Sequence, residues 1–130
     1  MHDLMKLARE VPLENGLTVS FYHHSHRYFG DYHRVKVEII CEVPVREEYF
    51  SDPAAFAEAR SFLGRNVFFR RNLELMGIPT AELENSLEKT IDNFSEHSLS
   101  YLGSPLFPRR MVLAELANAT VQARRIYAER

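Results

Sequence analysis

Four of the six histidines, His23, His24, His26 and His33, fall within eleven residues. Neutral imidazole is a good ligand for Zn²⁺ and Ni²⁺, so metal chemistry in this chain would sit here. Whether the rings converge depends on the backbone beneath them. Leu17, Val19, Phe21 and His23 alternate with Thr18, Ser20, Tyr22 and His24. A beat of two with aromatic and β-branched residues predicts a half-buried strand over 17–24. Val35, Val37, Ile39, Cys41 and Val43 alternate in the same way with Arg34, Lys36, Glu38, Ile40 and Glu42. Pro44 ends that second strand or places its end at a sheet edge. Gly30 tolerates positive φ, so a loop of Tyr28, Phe29 and Gly30 closes the two strands into a hairpin.

In that register Tyr22 faces Lys36 and Ser25 faces His33. His23 and His33 then lie diagonally on the inward face, about 7 Å apart. His24 and His26 share the opposite face, roughly 6.6 Å apart along the strand. Asp31 is the nearest acid for either pair. The candidate metal ligands are therefore His23 with His33, or His24 with His26, each joined by Asp31, and the metal would be zinc or nickel. Neither pair has an evident third and fourth ligand. The plainer reading is no cofactor, with two histidines at the core edge and two on a solvated face.

Cys41 is the single cysteine, so no intramolecular disulfide is available. It shares its face with Val37, Ile39 and Val43, which makes it a core thiol with a raised pKa rather than a nucleophile. The chain lacks a glycine-rich phosphate loop, a dinucleotide fingerprint, a nucleophile elbow and a His-Glu-x-x-His helix. Three arginine pairs, Arg70-Arg71, Arg109-Arg110 and Arg124-Arg125, sit on separate elements among acids such as Glu74, Glu115 and Glu129. That pattern reads as solvated faces with local ion pairs. Tyr28, Phe29 and Tyr32 cluster at the hairpin loop, where aromatics can serve contacts.

The remaining elements follow from caps and breakers. Ser51-Asp52-Pro53 opens a helix that Gly64 stops. The stretch 65–78 fits either a strand or a continuing helix. The interruption at Gly64 and Asn66 favours a third strand, ended by Gly77-Ile78-Pro79. Thr80 is placed as the N-cap of a helix whose Leu83, Leu87, Ile91 and Phe94 fall on one face. Gly103-Ser104-Pro105 breaks it. A last helix begins at Phe107-Pro108 and reaches about Ala128. Its apolar residues run from Met111 to Tyr127 and cover more than one stripe, so it should be buried on more than one side, either inside the domain or partly against another copy.

The predicted fold is α+β, a single domain over 1–130. A small antiparallel sheet, the hairpin plus a third strand, packs against three helices in the order β-β-α-β-α-α. With 130 residues and fifteen Phe and Tyr, such a domain can bury its own core. The formal net charge of −2 supplies no global attraction to nucleic acid or anionic lipid, and little repulsion between copies. No apolar run approaches the roughly 18 residues of a membrane span. Met1–Pro12 contains His2, Asp3 and Glu10 and no apolar stretch, so it does not read as a signal peptide. These features predict a soluble cytoplasmic domain that binds neither membrane nor nucleic acid. The function expected from them is non-enzymatic binding or scaffolding, with self-association through the C-terminal helix. The alternatives are a transition-metal protein using the hairpin histidines, or a small-ligand or enzymatic domain with a cleft between sheet and helices.

Overall fold

The computed structural model describes residues 5–128. His2, Asp3 and Glu129, which entered the sequence argument, lie outside that span. The fold is α+β: a four-stranded antiparallel sheet in the order β1-β2-β3-β4, with three α-helices. The strands are β1 (Lys6–Pro12), β2 (Thr18–Phe29), β3 (Tyr32–Pro44) and β4 (Asn66–Pro79). The helices are α1 (Pro53–Leu63), α2 (Leu83–Leu102) and α3 (Phe107–Ala128). Among the described residues no helix is long and apolar enough to cross a membrane.

The third strand and all three helices stand where the sequence places them. The additional strand is β1. Its alternation is broken by a register shift between Leu7 and Arg9, and Arg9 stands opposite Phe21 where an apolar residue would be expected. The Arg9 guanidinium reaches α2 instead and pairs with Asp92 at 2.8 Å. Asn15-Gly16 is therefore the turn of a β1–β2 hairpin. The Leu13 amide donates to the Leu17 carbonyl at 2.7 Å, and Gly16 takes φ of 88°.

The chain contacts divide into two compact units, Met1–Cys41 with Arg70–Gly103, and Glu42–Phe69 with Ser104–Arg130. In the first unit the apolar row Val19, Phe21, Val35, Val37, Ile39 and Cys41 is buried, as are Ile91, Phe94 and Leu102 of α2. The rings of Phe21 and Phe94 meet edge to face with centroids 5.8 Å apart. The Asn15 side-chain amide donates to the Leu102 carbonyl at 2.8 Å, which ties the first turn to the last turn of α2.

In the second unit α1 packs with α3, and Ala59, Val67, Phe107 and Val112 are buried. Asp52 caps α1 as expected: its Oδ1 accepts from the Ala55 amide at 2.7 Å. Gly64 follows the helix with φ of 75°, a conformation that glycine adopts without a side-chain penalty. Phe69 and Phe107 make an edge contact at 6.2 Å, and Arg60 lies over the Phe56 ring.

Candidate functional site

The histidine stretch lies on β2 and β3, and its register differs from the expected one by two residues. Tyr22 faces Glu38 and Ser25 faces Val35. The hairpin closes through two residues, Gly30 and Asp31, and the register shifts between Arg27 and Phe29. Gly30 has φ of 53° and no non-glycine residue among those described has positive φ, the pattern of a two-residue turn with glycine first. The predicted three-residue loop is corrected accordingly.

That shift undoes the predicted pairing of His23 with His33. His33 stands opposite Arg27, four residues beyond His23 on β2 and roughly 13 Å along the strand. His24 and His26 stand opposite Lys36 and Arg34, so each imidazole has a cation as its cross-strand neighbour. Among the described residues no three His, Cys, Asp or Glu side chains come together as a metal-ligand set.

Asp31 and His33 are instead joined through Thr80. The Thr80 hydroxyl donates to Asp31 Oδ1 at 2.5 Å, and His33 Nε2 lies 2.8 Å from the same oxygen of Thr80. The single hydroxyl proton is directed at the carboxylate, so Nε2–H of His33 donates to Oγ1. A base that activates a hydroxyl must accept its proton. Here the imidazole donates, so the three residues form a latch between the hairpin tip and the β4–α2 junction. The predicted N-cap role of Thr80 is corrected: residues Thr80–Glu82 form a 3₁₀ turn, and no side chain caps α2. Sequence spacing gives no sign of this latch, because 49 positions separate Asp31 from Thr80.

His23 lines a small pocket of about 190 Å³ with Ser25, Val35, Leu83, Glu84 and Leu87. Burial lowers its pKa, and the charges of Lys6 and His24 act in the same direction. Cys41 is fully buried and its thiol is pushed up to about 11 by that burial. Tyr28, Phe29 and Tyr32 are exposed at the hairpin tip.

A larger cleft, about 680 Å³, opens between β4 and α2. Leu73, Leu75 and Phe94 give it an apolar lining, Arg71, Lys89 and His97 supply nitrogen, and Glu74, paired with Arg34, adds one carboxylate. Among the described residues neither Arg71 nor Lys89 has an ion-pair partner. His97 Nδ1 donates to the Asn93 carbonyl at 2.7 Å, which leaves Nε2 as the acceptor of a neutral ring. The volume and the mixed lining suit a small molecule with an apolar body and an anionic group. Arg70, next to Arg71, is paired with Glu38 at 3.1 Å, as the ion-pair reading of the arginines expects.

Comparison of the chain with protein-family models, curated proteins and solved structures gave no match.

Proposed function

We propose that this chain is a non-enzymatic binding or scaffolding domain that self-associates. The observation that carries the reading is the uncovered apolar surface of α3. Near its start it is buried at Phe107, Pro108 and Val112. Beyond that point Leu113, Val121, Ile126 and Tyr127 are exposed, Ile126 at 54% and Tyr127 at 79%. Leu113, Ala117 and Val121 follow at four-residue steps and form a line along the helix. A contiguous exposed apolar row of this kind offers another chain a surface to dock on. A second copy supplies the same row, and the net charge of −2 does little to keep copies apart. Light scattering over a concentration series tests the proposal. The wild-type chain should exceed monomer mass, and Val121→Glu should lower it. A strict monomer at high concentration ends the reading.

A second reading rests on the β4–α2 cleft. Its two cations, without ion-pair partners among the described residues, and its apolar lining favour a small organic anion as ligand. Anilinonaphthalene sulfonate carries both features. It should bind the wild-type chain with enhanced fluorescence and bind the paired variant Arg71→Ala, Lys89→Ala more weakly. Equal binding by both proteins removes the cleft as the site.

A further inference from the structure

The sheet has two edges. The β1 edge is short, contains a register shift and ends in Pro12, features that blunt strand addition. The β4 edge is different. It runs for fourteen residues with proline only at its end, and among the described residues no other strand lies beyond it. Its outward face exposes two large apolar residues, Phe68 at 43% and Met76 at 57%.

The sequence of β4 is complementary to itself about Asn72. When two copies of the strand meet antiparallel around a two-fold axis normal to the sheet, residues on the same face stand opposite one another. With Asn72 on the axis, Arg70 faces Glu74 of the second copy and Phe68 faces Met76 of the second copy. Both contacts occur twice by symmetry. Moving the axis to Arg71 sets Phe68 against Glu74, and moving it to Leu73 sets Arg70 against Met76. Of these three registers, only the one through Asn72 matches charge with charge and apolar with apolar on the outward face; on the inward face it sets Phe69 against Leu75 and Arg71 against Leu73.

The charges are already ordered within each copy. Arg70 pairs with Glu38 of β3 at 3.1 Å, and Arg34 of β3 pairs with Glu74 at 3.3 Å. Pairing through Asn72 extends these bridges into a row of alternating sign, from Glu38 and Arg70 of one copy to Glu74 and Arg34 of the next. Alternating neighbours of this kind stabilise a sheet seam, and like charges placed opposite one another oppose it.

We propose that two copies of this chain join edge to edge through β4, with Asn72 on the two-fold axis, into one continuous eight-stranded sheet. This interface is separate from the α3 row, and the two do not depend on each other.

Asn72→Cys gives the direct test in the full chain. Opposite residues of an antiparallel pair have Cα atoms roughly 4.5–5.5 Å apart, within disulfide range. Cys41 is buried, so the introduced thiol reacts alone. Mild oxidation should give a covalent dimer from Asn72→Cys and none from Lys36→Cys, which places a thiol on β3, one strand in from the seam. The cross-link should persist when Asn72→Cys is combined with Val121→Glu. Its persistence separates this seam from association through α3.

Charge reversal gives the second test. Glu74→Arg should weaken association about tenfold, because two arginines then face each other across the seam. Adding Arg70→Glu should restore it, because each seam contact is again between opposite charges with their order exchanged. Within each copy the doubly reversed protein sets an acid against Glu38 and a base against Arg34, so recovery cannot come from the intrachain bridges. No cross-link from Asn72→Cys, a cross-link equal to that of Lys36→Cys, or no recovery in the double reversal each overturns the proposal. A strict monomer overturns it as well, and leaves the edge to an extended segment of another protein.

Discussion

The His33 ring and the Thr80 hydroxyl lie 2.8 Å apart, and the hydroxyl proton is committed to Asp31. His33 Nδ1 is buried and has no hydrogen-bond partner. The Nε2 bond is thus the ring's polar anchor among the described contacts. Thr80→Val keeps the shape of the side chain and removes both bonds. The expected loss is about 1–3 kcal/mol of unfolding free energy, because a half-buried imidazole is left unsatisfied. Thr80→Ser keeps the hydroxyl and should stay within about 1 kcal/mol of wild type. Urea midpoints of the three proteins check this, and equal losses from both substitutions would show that the hydroxyl does not matter.

His23 should make stability depend on pH. Its folded pKa is lowered by burial first and by the charges of Lys6 and His24 next. The unfolded chain, with a pKa of about 6.5, therefore binds protons before the folded one. The contribution of this group is present above the unfolded value and is lost as the pH falls through it toward the folded value. His23→Gln should flatten the acid side of a stability–pH curve between roughly pH 7 and 5. An unchanged slope in that window would refute the assignment.

Two neighbouring residues of α2 should respond very differently to truncation. Phe94 is buried against Phe21, and Phe94→Ala should cost about 3–5 kcal/mol through lost burial and a residual cavity. Asp92 pairs with Arg9 at 2.8 Å, but the Asp92 side chain is 67% exposed. Asp92→Asn should cost less than about 1 kcal/mol, and less again in high salt. Denaturant titration at two salt concentrations separates the two effects. A larger loss from Asp92→Asn would contradict the ranking.

Cys41 should be silent to thiol reagents in the folded protein. With a pKa of about 11 and complete burial, it presents roughly one thiolate in a thousand at about pH 8 and no access to it. Disulfide-exchange reagents should react only after denaturant is added. Fast reaction in native buffer would mean that the inner sheet face opens.

The parts of the fold set by local chemistry are legible in the sequence. Asp52-Pro53 and Gly64 bracket α1 because a cap and a stop act within one turn of chain. The alternation through Cys41 places β3 because its inward face is buried without exception from Val35 to Val43. What stays hidden depends on partners distant in sequence. β1 is obscured because Arg9 occupies an inward position and is satisfied by Asp92, which is 83 residues away. The hairpin register differs by two from the expected one because the turn is centred on Gly30 and Asp31 rather than on Phe29, with the shift between Arg27 and Phe29 taking back one residue, and residue types alone exclude neither turn arrangement. The candidate site suffers most, since metal geometry depends on register. Thr80 resembles a helix cap by type and position, yet its hydroxyl is taken by the hairpin instead.

The tie between Asn15 and Leu102 bears on how the protein is made. The contact spans 87 residues, and the first unit is assembled from two stretches of chain with the whole of 42–69 between them. While a ribosome is still adding those intervening residues, the strands carrying Phe21 and Val37 are complete but α2 does not yet exist to cover them. Their greasy side stays wet for that interval, which makes the half-built polypeptide a natural client for chaperones that shield such surfaces during translation.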